Sequence, residues 1–589
     1  MKPFMARVVQ KFGGTSVADP EKIVRAAKKA ALRHAAGDQV VVVVSAMGKQ
    51  TDLLVRLAGQ ITDSPSAREL DMLLSTGEQV SVSLFAMALQ SMGHKAVSLT
   101  GGQIGIRTDS SHTRARIQSI STDHVRGLLE GGAIVIAAGF QGFDPDGNIT
   151  TLGRGGSDTT AVALAAVLNA DRCEIYTDVD GIYTTDPRVH CGAARLATVS
   201  HDEMLELASL GAGVMHSRSI EFAKKFGVPI IVRSSFEDGP GTEISSGLTS
   251  RRTVSGVALA KDEARVTVED VPDQPGASHQ LFAELASNGI SVDMIIQNAG
   301  TGGTADISFT VTNQDVPAAL EITNSVAGRL RAAGVTHDPD VAKVSIVGSG
   351  MVDAEGVAAT MFDALSAAKI NVHMITTSEI KVSVLVDRKN AQKSVEAAHK
   401  AFGLDGFVDE SFPGDAAPVQ KSDPLEVVRR LEGMEDLAIE DCQLDMSQAL
   451  VTFMNLPDTP GVAAAVFEEV GRAGLNVDMI VQSFPRNGRA EISFTVPASD
   501  RQRALAAAKN IAQTRGAETT DVPEVAKLSI TGVGIRSHAG VADKLFAPLA
   551  DAGINIDLIS TSEVRVNVLV AAEHGERSLS ILRTAFELK

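Results

Sequence analysis

Four clusters of chemically capable residues lie where apolar runs break into glycine or polar loops. In the first, Lys11-Phe12-Gly13-Gly14 follows the apolar run Ala6 to Gln10. A lysine beside two glycines supplies a point charge and backbone N–H groups that approach oxygens closely, which is what a phosphate site requires. It is not a Walker A loop, whose lysine follows its glycines. In the second, Arg154-Gly155-Gly156-Ser157-Asp158-Thr159-Thr160 opens an apolar stretch. The guanidinium suits a carboxylate, the glycines bring backbone donors near a ligand, and Ser157 or Asp158 can cap the helix that follows. In the third, Thr177 and Asp178 lead through Tyr183 to Asp186-Pro187-Arg188, placing acids, an aromatic and a cation on one loop that suits a nucleotide and its metal. The last consists of the Ser45 and Thr51 hydroxyls and Glu78, a carboxylate in the first turn of an apolar helix. Glu78 either favours that helix N-terminus or receives a substrate ammonium. Each cluster alone also fits plain turn and cap chemistry; the excess of polar groups around Arg154 favours a small-molecule site.

These clusters need a rigid frame, and the sequence predicts one. Strands are expected at Ala6 to Gln10, Gln39 to Val44, Lys95 to Leu99, Ala133 to Ala138, Arg172 to Tyr176 and Pro229 to Val232. Helices are expected at 19–36, 73–90, 201–209 and 214–226. Alternation of this kind gives an α/β three-layer domain with a mainly parallel sheet, whose strand carboxyl ends gather ligands. The β-branched run QVVVVV marks a strand covered on both faces.

At 589 residues the chain has room for three to five domains at about 150 residues each. A hydrophobic share of 44% against 21% charged is the balance of a globular protein, and with 2 Tyr and no Trp the core must rest on aliphatic residues. The net charge of −18 argues against nucleic acid or an anionic membrane as partner. Cys173, Cys191 and Cys442 are too scattered for a disulfide framework, which fits the cytoplasm. No apolar run is expected to span a membrane, and the N-terminal residues leave no room for a signal peptide.

The second half repeats. Pro275-Gly276 and Asp293-Met294-Ile295 return as Pro460-Gly461 and Asp478-Met479-Ile480, and Thr377-Ser378-Glu379 returns as Thr561-Ser562-Glu563, each about 185 residues later. Within each copy a strand-helix-strand pattern itself recurs. The organisation expected is a domain at 1–250 and four α+β units at 264–335, 342–403, 449–518 and 526–589. Strand 254–261 is a candidate opening strand for the second unit, and 404–448 carries a linker and a candidate first strand for the fourth. Units this small pair with one another or across subunits. The loop after Pro275-Gly276 offers N–H groups to an amino-acid carboxylate, and Asp293 could take its ammonium. Met294, Gln297 and Asn298 lie alongside, with Asn371, Val372, Thr377 and Ser378 completing the pocket across the pair; Asp478, Gln482, Asn555 and Ile556 are the counterparts. Pro-Gly before a helix is also ordinary turn chemistry. The second copy has Ser483 where the first has Asn298, and inserts Pro485-Arg486.

KFGGTSV, VVVSAMGKQTDLL, LLSTGEQVS, GFQG, LGRGGSDTTAVALAA and YTDVDGIYTTDPR occur in this order across the first 250 residues. Together they resemble the aspartate kinase branch of the amino acid kinase family, and the repeats resemble ACT domains, here in four copies. The resemblance implies ATP- and Mg²⁺-dependent conversion of L-aspartate to 4-phospho-L-aspartate, the first step toward lysine, threonine and methionine. It implies that Lys11, Phe12, Gly13 and Gly14 meet the ATP phosphates, and that Thr177, Asp178, Tyr183, Asp186, Pro187 and Arg188 line the nucleotide. Ser45, Thr51, Glu78, Arg154, Gly155, Gly156 and Ser157 would hold aspartate, with Lys11, Arg154 and Asp158 as the catalytic residues; the metal ligands are left open. Lysine or threonine bound at the ACT units would inhibit, in a homo-oligomer joined through them. Where many relatives carry a nucleotide-side lysine this chain has Gly213, with Arg188 or Arg218 as replacement cations.

Overall fold

The computed structural model describes residues 6–209, 214–247, 252–297, 303–352, 354–406, 438–535 and 540–588. The first domain is built on an eight-stranded sheet in the order Thr198–Ser200, Thr242–Ser245, Ile230–Ser234, Arg172–Thr177, Arg7–Phe12, Gln39–Val44, Ile134–Ala138 and Ala96–Leu99. Its pairings are parallel apart from Ile230–Ser234 against Thr242–Ser245. In Gln39–Val44 the valines alternate between two cores. Val40, Val42 and Val44 meet helices Pro20–Ala35 and Thr76–Ser91 on one face, while Val41 and Val43 meet helix Gly156–Val167 on the other. Burial on both faces is why this strand is an unbroken apolar run.

By length and hydropathy Ala67–Ser91 would reach across a bilayer, which the sequence reading did not anticipate. Here it forms two successive helices, Ala67–Leu74 and Thr76–Ser91, and the second lays Val82, Phe85, Ala86 and Leu89 on the sheet. Its apolar character thus serves the core. A small second sheet of Ile117–Ile120, Ile106–Thr108, Gln141–Phe143 and Ile149–Thr151 sits beside it.

The remaining strands close into a twelve-stranded barrel. The long strand Gly256–Pro272 serves two units at once: Gly256 to Ala260 pair with Val347 to Lys343 of the second unit, and Ala264 to Val268 pair with Val311 to Ile307 of the first. Between units, the edges meet at Gln297 opposite Ile559 and at Ile375 opposite Gln482. The first unit therefore pairs with the fourth and the second with the third, so the expectation of pockets completed within each consecutive pair is corrected. Closure leaves the barrel without an open edge, the feature by which small β-rich units otherwise aggregate. Met294, Ile296, Met374, Met479, Val481 and Leu558 fill the barrel interior. Outside it, Phe282 packs on Phe546 and Phe362 on Phe467, at ring distances of 5.9 and 5.2 Å, joining the helices of paired units.

Candidate active site and regulatory interfaces

Parallel strands end together, and the reactive clusters ride on those ends. Lys11 is the fifth residue of Arg7–Phe12, and its Nζ lies 2.5 Å from Asp158 Oδ1, with both side chains about one-tenth exposed. Asp158 stands in the first turn of Gly156–Val167, a helix buried along its whole length. The next loop must approach very closely: a Cβ on Gly14 would lie 2.9 Å from Ala46 O and 3.2 Å from Gly48 O. Gly14 is thus where the Lys11 loop meets the Ser45 loop. Ser45 is half-buried at the end of its strand, and Thr51 is in the first turn of Gln50–Ile61.

Glu78 is 3% exposed, and its Oε1 accepts the Ala46 N–H at 3.0 Å. Its Oε2 is buried with no hydrogen-bond partner among the described residues. Burial pushes this carboxyl up to about 7. Arg154 is exposed, between Gly153 at φ 77° and Gly155 at φ 70°, conformations that favour glycine. At Gly155 a Cβ would also collide with the His216 ring. Ser157 packs on Gly139, at the end of the neighbouring strand Ile134–Ala138.

On the far side of Lys11 lies the long loop after Arg172–Thr177. Thr177 Oγ1 donates to Asp178 at 3.1 Å, Tyr183 OH donates to Asp180 at 2.6 Å, and Asp186 accepts from Arg188 through both carboxylate oxygens. Lys11, Gly14, Ser45, Glu78 and Asp158 therefore form one connected cluster, with the Thr177 to Arg188 loop flanking it.

Some expected residues do other work. Phe12 is fully buried, stacked on Tyr176 at 4.7 Å and tilted against Phe85, so its side chain belongs to the core and only its backbone can face a ligand. Arg218 donates to the Leu152 and Ala115 carbonyls at 2.6 and 2.7 Å, and Arg188 is held by Asp186, so each replacement cation has structural work of its own. Gly213 lies outside the described residues. Asp71, which sequence reasoning missed, is wholly buried; it accepts from His112 at 2.7 Å and Thr151 at 2.5 Å, fixing the loop against which Gly153 rests.

The interfaces between the α+β units come in two matching copies. Asn371 of the second unit donates to Asp458 of the third at 2.8 Å, and Asn555 of the fourth donates to Asp273 of the first at 2.8 Å. Gln482 donates to the Val372 carbonyl at 2.9 Å and Gln297 to the Ile556 carbonyl at 2.8 Å. A small cavity of about 20 Å³ lies between the second and third units, lined by Asn371, Asp458, Gln482 and Ser366 among others. Thr377 Oγ1 accepts from Ile480 N at 2.8 Å, and the Ser378 hydroxyl is buried nearby.

Asp293, Met294 and Asp478 are corrected. The Asp293 carboxylate is paired with Lys343, 1% exposed, which also reaches Glu263 at 3.3 Å; Asp478 is paired with Lys527. Each carboxylate already has its cation, and the Met294 side chain is in the barrel interior. Asp273 and Asp458 are the interface acids that were missed. Asn298 lies outside the described residues.

The halves meet at helix His201–Ser209. Glu203 accepts from Ser255 Oγ at 2.6 Å and Ser349 N at 2.9 Å. Glu206, fully buried, pairs with Lys381 at 2.7 Å and accepts from Glu563 N at 3.2 Å. Lys381 and Glu563 belong to the hairpins of the second and fourth units, so one carboxylate touches both.

A parallel α/β sheet with a lysine-glycine loop on a central strand, followed by paired α+β units, defines an amino acid kinase with an ACT-type regulatory region. The amino acid kinase family profile matches residues 6–234, and ACT domain profiles match 265–328, 344–402, 454–510 and 528–586. Aspartokinase of Pseudomonas aeruginosa is 51% identical over 405 residues, covering 68% of this chain and 98% of that relative. Among solved structures, aspartate kinase from Synechocystis matches at 40% identity and a TM-score of 0.52 over 98% of each chain. E. coli aspartokinase III in complex with aspartate and ADP matches at 28% identity and a TM-score of 0.59, over 67% of this chain and 99% of that one; its complex with lysine and aspartate gives 0.53. The chain belongs to the aspartokinases of the amino acid kinase family, and it is an aspartate kinase enzyme.

Proposed function

We propose that the enzyme transfers the γ-phosphoryl group of ATP to the β-carboxylate of L-aspartate, giving 4-phospho-L-aspartate, and that amino acids bound between its ACT units regulate it. Glu78 carries the reading. A buried carboxylate with one oxygen unpartnered is costly unless a cation arrives, and the α-ammonium of aspartate is such a cation. Arg154 would take the α-carboxylate, with Ser45, Thr51 and the backbone of Gly155, Gly156 and Ser157 completing the cradle. That leaves the β-carboxylate toward Lys11.

A carboxylate is already a nucleophile, so no general base is required; the barrier is bringing it against a polyanion. Lys11 would neutralise charge on the transferred group, and Asp158, paired with it, keeps the ammonium in place. Gly13 and Gly14 would admit the phosphates, and Thr177, Asp178, Tyr183 and Asp186 to Arg188 would flank the nucleotide. Bound with the nucleotide, Mg²⁺ would spread phosphate charge, and the oxygen ligands available at this rim, such as Asp178, suit that hard cation. Aspartokinase III, solved with aspartate and ADP, supports this substrate pair.

Lysine or threonine would act at the two interfaces, where Asp273 with Asn555 and Asp458 with Asn371 present a carboxylate and an amide to an amino acid. The lysine complex of aspartokinase III supports the ligand class. Because the chain supplies both partners of each interface, a homo-oligomer would assemble through other surfaces. Its product feeds lysine, threonine and methionine synthesis in the cytoplasm. Trapping the acyl phosphate with hydroxylamine tests the reading: hydroxamate should require aspartate, ATP and Mg²⁺ and fall with lysine or threonine. Aspartate-independent ATP turnover would overturn the substrate assignment.

A further inference from the structure

Outside the site described so far, two histidines and a carboxylate converge where the nucleotide-side loop meets the second ACT unit. His190 Nε2 lies 2.6 Å from Asp405 Oδ1, and His399 Nδ1 lies 2.8 Å from the same oxygen. The three ligand atoms all fall within 4.8 Å of one another. The two imidazole rings are 4.5 Å apart. His190 belongs to the kinase loop, four residues beyond Asp186; His399 is on helix Ala391–Ala401 and Asp405 on the turn just after it.

From these residues we infer a divalent transition-metal site, of zinc type, formed by His190, His399 and Asp405 and joining the kinase domain to its second regulatory unit. Two imidazoles and one carboxylate are a ligand set suited to Zn²⁺, with the remaining position open to water. Mg²⁺, which prefers oxygen, would not choose it.

Three further features fit an ion. His399 is wholly buried, and its other nitrogen, Nε2, lies 2.8 Å from Thr184 Oγ1, which is itself buried and accepts the Ala194 N–H at 3.0 Å. With Nε2–H donating to Thr184, the Nδ1 lone pair is directed at the cluster; such an outer hydrogen bond is the usual device for orienting a metal-bound imidazole. Gly192 leaves the space: a Cβ there would lie 2.7 Å from Asp405 Oδ1 and 2.8 Å from His190 Nε2. Access comes through Asp405, whose side chain is 49% exposed, while His190 is 17% exposed. Ligand atoms around a tetrahedral ion with bonds near 2.0–2.1 Å stand about 3.3 Å apart. The nitrogen-to-oxygen spacings of 2.6 and 2.8 Å therefore have to open by about 0.5–0.7 Å, and the exposed Asp405 turn is the element that can move to allow it.

The consequence is mechanical. An ion here would fix the loop carrying Asp186 and Arg188 to the end of the second unit, in addition to the hydrogen bond from Gly406 N to Gly192 O. The test uses the full-length, untagged protein, stripped with chelator and titrated with Zn²⁺ against a chromogenic competitor, without nucleotide. One equivalent per chain is expected, weakened at least about 10-fold by His190→Ala and by Asp405→Asn. Both substitutions fall on the more exposed ligands, so the fold should survive, as circular dichroism would verify. No high-affinity equivalent in the wild type, or one retained by both variants, would overturn the site and leave a hydrogen-bonded strut. Zinc retained by both but lost in Cys191→Ser would place the ion on the exposed thiol next door and equally overturn it.

Discussion

Glu78 at the kinase strand ends and four carboxylates of the regulatory barrel are handled in opposite ways. At the strand ends Glu78 keeps a buried carboxylate oxygen without a hydrogen-bond partner among the described residues, and its carboxyl is pushed up to about 7. In the barrel, equivalent carboxylates are tied: Asp293 to Lys343, Asp478 to Lys527, Asp273 to Asn555 and Asp458 to Asn371. On the proposed reading a substrate would find an unmet demand, whereas an effector would have to replace hydrogen bonds that the protein already makes with itself. Catalysis gains from preorganised, incompletely satisfied groups. Regulation gains from two arrangements that are close in free energy, because a ligand shifts an equilibrium only by its differential affinity for the two.

The sharpest way to break this contrast is at its catalytic end. Lys11→Ala should lower kcat about 10²- to 10³-fold, the cost of removing one preorganised cation from a transition state. Thermal unfolding of the barrel should stay nearly unchanged. A loss smaller than tenfold in the hydroxamate assay would mean that another cation neutralises the phosphoryl group.

Next in size is the seam between the halves. Lys381→Met strands Glu206 inside the protein without its cation, and breaking a buried pair in this way costs about 3 kcal/mol. Burial already holds the Glu206 carboxyl above the usual range, so the stranded group takes up a proton. The double variant Lys381→Met with Glu206→Gln should recover much of the loss in a denaturant titration. If the double variant is as unstable as the single, the lysine acts through packing and the ion pair is incidental.

Glu78 offers a smaller and graded effect. Its folded-state value near 7 exceeds the unfolded value near 4.5, so the native state binds the extra proton. Stability from this group is therefore full below about pH 4.5 and declines as pH rises through 7. Aspartate binding has the opposite sign, since its ammonium requires the ionised carboxylate. KM for aspartate should fall as pH rises toward 7, by up to about tenfold per unit, with a proton released on binding. Glu78→Gln should raise KM and flatten that profile; a profile unchanged by the substitution would remove Glu78 from the ammonium site.

How far the sequence foretold this division depends on how local each feature is. The run QVVVVV reported a doubly covered strand because burial on both faces acts residue by residue. Lys11, Gly14, Glu78 and Asp158 were legible because strand-end chemistry needs distinct residue types. That the Phe12 ring turns into the core was not legible, because adjacency to Lys11 says nothing about which way a side chain turns in a pleated strand. The pairing of first with fourth and second with third unit was not legible, since similar edges can pair in several ways and only tertiary closure selects one. Asp293 was misread although a signal existed. Lys343 lies 50 residues after Asp293 and Lys527 lies 49 after Asp478, and a repeated acid with a repeated base suggests a structural pair.

The finest test asks whether the two regulatory interfaces are interchangeable. They share the asparagine-to-aspartate and glutamine-to-carbonyl bonds, but Ser278 donates to Gln297 in the first unit where the third carries Ala463. The fourth unit also has half-buried Asp557, raised to about 6 by desolvation and by the nearby Asp273 charge, where the second has His373 paired with Asp387. An effector amine near Asp557 would meet a carboxyl that is half ionised at about pH 6; near His373 the carboxylate is Asp387, which desolvation raises but which the hydrogen bond from His373 holds below the usual range. Asn371→Ala and Asn555→Ala each delete one hydrogen bond to a carboxylate, about 1.5–3 kcal/mol or roughly ten- to a hundredfold in effector affinity. Isothermal titration at pH 5.5 and 7.5 should find the site lost in Asn555→Ala to be the pH-dependent one. Ser278→Ala should then weaken only that same site, moving it toward its twin. Equal pH dependence at both sites would show that the differences at Ser278 and Asp557 do not reach the ligand.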